Sequence, residues 1–257
     1  MKQIGGLNLA VMGMTRRGWV ALALLAALAL IVGCGEEGGQ PVTRLGADVP
    51  ANVFKNGSFE SGPSPWISLT TPVWGTPFSV SSDEAHSGTQ SALLQLRAAS
   101  ADTGAKVFGV VQEVSPPVFP ELLSGYYYVQ DWVKTTPKQY LQFVVIAVGA
   151  NNLAGGFPNY QIRYPLAGIT QPPFPISNAK FRFLSKEEPA IGRWVYFERP
   201  IYQDFKELWG AAPKGYDKLR ILFEVRYDDK TAGTEAKADV LYDDLYLGPA
   251  KDNPNRP

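Results

Sequence analysis

A single cysteine, Cys34, closes an apolar run, and no cysteine follows it. Whatever folds after Cys34 must do so without an internal disulfide, so its stability has to come from a buried core, with or without a metal. The run has a recognisable order. Lys2, Arg16 and Arg17 come first with no acidic residue, and Trp19 to Val32 then carries no charge. A positive segment, an apolar segment and a small residue before the end are the parts of a secretory signal. An uncleaved membrane-spanning helix is the alternative, although the charge-free stretch is short of the roughly 20 residues a span needs. After Cys34 the chain reads Gly35-Glu36-Glu37-Gly38-Gly39-Gln40-Pro41, polar and glycine-rich as a tether is.

Ile31-Val32-Gly33-Cys34 resembles the lipobox of bacterial lipoproteins. The resemblance implies a signal peptide over 1–33, cleavage before Cys34, lipidation of that cysteine and a flexible tether over 34–51. Acyl chains then hold the protein to a membrane, each buried methylene contributing about 0.8 kcal/mol. The expected location is the cell envelope. Gly35, rather than aspartate, follows the cysteine, which resembles an outer-membrane destination where the host has one.

About 200 residues remain after the tether, enough for one domain with a sizeable core. The signal holds three of the 24 Lys+Arg and none of the 24 Asp+Glu, so the rest lies near −3. That balance argues against a nucleic-acid partner, which calls for a basic face. With 25 glycines, 21 prolines and 12% aromatic residues, turns are frequent and strands rich, which predicts an all-β fold.

Ten strands are predicted: Phe78–Ser82, Ser91–Arg97, Lys106–Val114, Tyr126–Thr135, Tyr140–Val148, Gln161–Tyr164, Lys180–Leu184, Trp194–Arg199, Lys218–Tyr227 and Ala238–Leu247. In Lys218–Tyr227 the residues Leu219, Ile221, Phe223 and Val225 share one face, with Arg220, Glu224 and Arg226 opposite and Leu222 the exception. Leu141–Val148 is nearly all apolar, as in a central strand buried on both sides. Between Pro200 and Gly210, Ile201, Phe205, Leu208 and Trp209 recur at helical spacing, predicting a short helix near 200–209. Residues 151–178, rich in proline, glycine and asparagine, read as a long surface excursion that either carries function or is mobile. Trp66 and Trp194 read as packing residues, and Trp209 as part of the helix stripe.

Three segments carry a family resemblance. Asn56-Gly57-Ser58-Phe59-Glu60 opens the domain, His86-Ser87-Gly88 follows, and Leu241-Tyr242-Asp243-Asp244-Leu245 closes it. Together they resemble the galactose-binding-like jelly roll and, within it, carbohydrate-binding modules. The resemblance implies a β-sandwich jelly roll over 52–248, with 249–257 a disordered tail. The middle exceeds the usual module through 151–178 and Pro200–Gly215.

Asp243 shares strand parity with Leu241, Leu245 and Leu247, so a core on that face points a carboxylate inward. A buried carboxylate needs a cation, hydrogen bonds or a proton. The resemblance supplies a structural Ca²⁺, with Glu60 and Asp243 as side-chain ligands and backbone oxygens near Ser87 and Thr89; oxygen ligation suits that ion. Hydrogen bonds from backbone amides to Asp243 are the alternative. His86, the lone histidine, cannot build a zinc site without partners and reads as a turn residue.

A carbohydrate partner is met by aromatic faces with polar groups beside them. Tyr126, Tyr128, Gln130 and Trp132 alternate on one side of their strand and are the candidate ligand-binding set. Three functions stay open: a non-catalytic carbohydrate-binding lipoprotein, a structural or adhesive lipoprotein with a protein partner, and an enzyme. For the last, a glycosidase would need two carboxylates about 5 to 10 Å apart, and Glu187, Glu188, Asp228 and Asp229 have no distinguishing spacing. The expectation is no catalytic activity.

Overall fold

The computed structural model describes residues 51–70 and 75–256. Cys34, the signal and most of the tether lie outside them. Among the described residues no helix is long and apolar enough to cross a membrane.

Eleven strands form two sheets. In chain order they are β1 (Ile67–Thr70), β2 (Gly75–Ser81), β3 (Ser91–Ala98), β4 (Gly104–Val114), β5 (Leu122–Val133), β6 (Gln139–Val148), β7 (Asn159–Ala167), β8 (Ala179–Phe181), β9 (Trp194–Arg199), β10 (Lys218–Lys230) and β11 (Ala236–Gly248). The six-stranded sheet runs β1-β4-β10-β6-β7-β8 and the five-stranded sheet β2-β3-β11-β5-β9. Only the β7–β8 pairing is parallel among these strand pairs. This is the all-β jelly-roll sandwich expected, and all ten predicted strands are present. The addition, β1, is a four-residue edge strand with Ile67 and Leu69 exposed.

The core lies between the sheets. Leu219, Ile221, Phe223 and Val225 of β10 and Leu141, Phe143 and Val145 of β6 face Tyr127, Val129, Val240 and Tyr242 across it. Leu222, the exception in its strand, belongs instead to a small apolar cluster with Val111 and Val144 on the outer side. That second cluster covers Val144 on the outer face of β6.

One helix, α1 (Ile201–Trp209), follows Pro200 and ends at Gly210, whose φ of 85° lets its N–H reach back to Lys206 O. Glycine takes that conformation without a Cβ penalty. Ile201 and Phe205 are buried as the stripe requires, and Asp204 joins them with 1% of its surface exposed. Its carboxylate takes Arg199 Nε at 3.0 Å and Nη2 at 2.6 Å, and Arg182 Nη1 lies 3.0 Å away. The ion triplet fixes the helix against the end of β9.

The tail after Gly248, expected as disordered, lies against the five-stranded sheet. Ala250–Asp252 form a 3-10 turn. Asn255 is buried, donating from Nδ2 to Asp244 O and Ser124 Oγ, and Arg256 pairs with Glu198. Buried hydrogen bonds to strand backbone hold this segment, a constraint its polar sequence does not announce.

Candidate functional site

The three motif segments meet at one place and build a clasp. Gly57 packs so tightly on β11 that a Cβ there would lie 2.2 Å from Leu245 O. Asn56 supports the turn from its side chain, donating to Gly62 O and Ser64 O. Glu60 then receives Thr89 N–H at 2.8 Å, Thr89 Oγ1 at 2.8 Å and Gln90 N–H at 2.7 Å. Those donors, the Thr89 amide first, hold its carboxyl below the usual range.

Asp243 is fully buried, but not against the core. Asp244, at φ 49°, lies in an irregularity between Asp243 and Tyr246 that shifts the register with β5. One extra residue exchanges the two faces of a strand. Leu245 and Leu247 therefore enter the core while Asp243 sits on the outer face beside Tyr126, beneath the His86–Ser87 turn. It accepts His86 N–H at 2.8 Å, Ser87 N–H at 3.2 Å and Asp244 N–H at 2.7 Å. The loop thus turns donors toward both Glu60 and Asp243. A cation needs the opposite polarity, and among the described residues no group of three or more His, Cys, Asp and Glu is placed to hold a metal. The carboxylates of Glu60 and Asp243 are filled by amide and hydroxyl donors, as the hydrogen-bonded alternative expects, and the calcium expected on Glu60, Ser87, Thr89 and Asp243 rests on the resemblance alone.

Burial, with the neighbouring Asp244 charge, raises Asp243 to about 7 against the amides that pull it down. Its ordinary value is 3.8, so the folded chain holds a proton that the unfolded chain has released. This contribution to stability is complete below about pH 4 and is lost as pH rises through 7. Melting temperature is expected to fall between pH 5 and 8, with Asp243→Asn flattening the slope. Curves with added calcium and with EDTA are expected to overlay; a calcium-dependent rise at pH 8 would contradict the clasp.

The expected ligand set divides. Tyr126 and Tyr128 lie on the outer face of the five-stranded sheet, opposite Tyr196 and Trp194 of β9. The His86 ring stacks on Tyr126 at 3.5 Å, and its Nδ1 lies 2.7 Å from Asp244 Oδ2, so it does more than make a turn. Tyr126 is already engaged, its hydroxyl donating to Asn255 O. Trp194, read as packing, stands on this outer face 5.4 Å from Tyr128. Gln130 is exposed and falls at a register shift between β5 and β11. Past it, Trp132 faces the core side, packs on the core cluster and donates from Nε1 to Glu188 Oε2 at 3.0 Å. Trp132 therefore does not join Tyr126 and Tyr128 on one surface.

A richer constellation sits on the outer face of the six-stranded sheet. Tyr140 and Gln142 (β6), Arg163 (β7), and Glu224, Arg226 and Asp228 (β10) converge there. Most of it is buried: Tyr140 and Gln142 are fully covered, Glu224 is 2% exposed and Asp228 6%. Phe174, from the 168–178 segment, lies against both guanidiniums, 5.4 Å from Arg163 Cζ and 5.2 Å from Arg226 Cζ. Arg226 pairs with Asp228 at 2.6 Å, Tyr140 donates to Asp228 at 3.0 Å, and Gln142 donates to Glu224 at 2.6 Å. Burial pushes the Tyr140 phenol well up and the Arg163 guanidinium down.

These bonds leave groups over. Arg163 Nε and Nη1, Arg226 Nε and Gln142 Oε1 are occluded and have no hydrogen-bond partner. Unmet buried polar groups are costly and call for an explanation. Beside them opens a groove of about 370 Å³ lined by Leu69, Ala105, Val107, Arg163, Leu222, Glu224 and Arg226. A larger groove of about 450 Å³ runs past Lys55 and Gln112, but there Gln112 exchanges two hydrogen bonds with the Lys55 backbone and Glu113 is paired with Lys218 and Arg220. Its recognition groups are spent. Three of the four carboxylates considered for hydrolysis are also engaged: Asp228 as above, Asp229 with Lys138, and Glu188 with Lys134 and Trp132.

No protein-family profile and no curated protein sequence matches the chain. Among solved structures, TmCBM61 in complex with beta-1,4-galactotriose is similar over 76% of this chain and 97% of that one, at 15% identity and TM-score 0.40. The family 11 carbohydrate-binding module from Clostridium thermocellum, in complex with a beta-1,3-1,4-mixed-linked tetrasaccharide, is similar over 77% and 95%, at 11% identity and TM-score 0.38. A beta-1,2-glucanase from Parabacteroides distasonis is similar over 72% of this chain and 23% of that one, at 15% identity and TM-score 0.38. Binding modules and an enzyme stand together in that set, so function has to be read from the site.

Proposed function

We propose that this domain is a non-catalytic carbohydrate-binding module, lipid-anchored through Cys34 in the cell envelope, that holds glycan on the outer face of its six-stranded sheet. One observation carries the reading. Arg163, Glu224 and Arg226 line an open groove whose other walls are apolar, with occluded N–H groups of both arginines unpartnered behind it. Sugars present that combination, hydroxyls that donate and accept around a ring with apolar C–H faces. The paired state of Glu188, Asp228 and Asp229 favours recognition over acid–base chemistry.

A second reading places glycan on the opposite face. Tyr128 and Trp194 are partly exposed there, and Trp194 Nε1 has no partner. Binding of the full-length chain to a polysaccharide panel separates the two. Arg163→Ala is expected to weaken the best ligand at least tenfold, about 1.4 kcal/mol, while Tyr128→Ala leaves it unchanged. The reverse pattern assigns the five-stranded face. Binding to no polymer would move the reading to a structural or adhesive lipoprotein with a protein partner.

A further inference from the structure

We infer that the end of the domain where the chain enters rests on the lipid surface that holds the anchor, with Val118 of the 116–120 loop dipping into it. This rests on the lipid anchoring through Cys34 proposed above and adds the face that meets the membrane. Six large hydrophobic side chains are exposed among the described residues, and three of them, Ile67, Val118 and Tyr202, gather round that entry. Ala51 packs against Gly248, where a Cβ would lie 2.3 Å from Ala51 O. Gly248, Val53 and Val118 line one small groove, and Val53, Ile67 and Pro117 line the larger groove beside it. Tyr202 joins through Phe119, ring to ring at 6.5 Å. A continuous exposed apolar patch marks a contact with protein or membrane.

Two features favour lipid over a protein partner. The loop is poor in backbone donors, because Pro116, Pro117 and Pro120 have no N–H, and Tyr216 Oη donates to Pro116 O at 2.8 Å. Backbone with few unmet groups enters an apolar medium at low cost. The second feature is position. Cys34 precedes Ala51 by seventeen residues, a reach of about 60 Å at full extension. Such a tether presses no face down, but it keeps the domain at a high effective concentration beside the surface, where weak apolar contact suffices, and the patch lies at its root. Lys55 and Lys206 are exposed at the rim, Lys206 Nζ 5.8 Å from the Tyr202 ring, and are placed for phosphate headgroups. The bordering carboxylates are engaged, Glu113 with Lys218 and Arg220 and Glu121 with the Ala250 N–H. The contact also orients the domain. Val114 ends β4 at the patch, whereas the Arg163 groove lies at Ala105 and Val107, about 20 Å back along the strand, so that groove is presented away from the lipid.

The test places the full-length chain, lipidated at Cys34, on vesicles of phosphatidylethanolamine and phosphatidylglycerol. Val118→Cys then carries the only free thiol, which takes an environment-sensitive fluorophore. Val133→Cys, exposed at the far end of β5, is the reference. A nitroxide on the lipid acyl chain is expected to quench the label at 118 several-fold more than the label at 133, as for a group buried about 5–10 Å into the interface. Adding Ile67→Asp is expected to cut that quenching, while flotation with the vesicles and the melting temperature stay unchanged, because the acyl chains still hold and Ile67 is 60% exposed. Equal quenching at the two positions overturns the lipid face and leaves the anchor standing, and capture of a second copy by a cross-linker at 118 would make the patch a self-association surface instead. Protein missing from the vesicle fraction overturns the anchor and this inference together.

Discussion

Asp204→Ala is expected to destabilise the domain by about 3–5 kcal/mol, because it strands two arginines that were built around one buried carboxylate. Asp204 is 1% exposed, and Arg199 and Arg182 both reach it. Once the carboxylate is gone, Arg199 has no listener for its fork at the end of β9, and α1 loses its tie to the sheet. Urea unfolding is the direct measurement. The midpoint should drop steeply in Asp204→Ala, while Arg182→Ala should cost less because Arg182 also pairs with Glu207. A shift below about 1 kcal/mol for the aspartate variant, the range of an exposed pair, would show that the triplet contributes little.

Phe223→Ala is expected to match or exceed that loss, at about 3–5 kcal/mol for a fully buried phenylalanine. Phe223 is the hub of the aromatic core. Its ring meets Phe54 at 6.1 Å, Trp66 at 6.0 Å, Phe143 at 6.1 Å, Phe197 at 6.2 Å and Tyr242 at 5.4 Å. These partners come from both sheets and from the opening segment, so a cavity here loosens five ring contacts at once. Phe223→Leu should recover most of the loss, leaving about 1.5 kcal/mol or less. Unfolding free energies of the two variants that failed to separate would mean the core closes over the gap.

The strands and helix were legible because each is announced locally. Alternation in Lys218–Tyr227, the apolar run of Leu141–Val148 and the proline and glycine around α1 are all short-range signals. The motif segments were also legible, and their meeting explains why: Gly57 is needed for backbone approach to Leu245, and Glu60 for the amides of Thr89 and Gln90. Their role is to close the sandwich, which is why they mark a fold better than a ligand. The short edge strand β1 escaped notice, its two apolar residues pointing to solvent.

The candidate site was hidden for two physical reasons. Period-two reading assumes an unbroken strand, and the register shifts at Gln130 and around Asp244 each exchange the faces beyond them. Trp132 and Asp243 were both assigned to the wrong side on that account. The second reason is distance along the chain. Glu224 and Arg226 alternate as a solvated face does, and nothing within β10 reveals that Arg163 and Phe174 will cover them. The signal that was present is the extension of 151–178, whose end delivers Phe174, together with Tyr140 and Gln142 on the strand paired with β10.

The junction between the opening segment and β11 also sets how the domain transmits force. Asn52 donates to Leu245 O at 3.0 Å and accepts Leu247 N–H at 3.1 Å, and Val53 N–H meets Leu247 O at 2.7 Å. Tension arriving from the N-terminal side therefore enters at β11, which is flanked by β3 and β5 in the middle of its sheet. A pull on a central strand must shear two ladders together, whereas a pull on an edge strand unzips one bond at a time. The three bonds that tie Asn52 and Val53 to this central strand thus take such a load first, ahead of β1 at the edge of the other sheet.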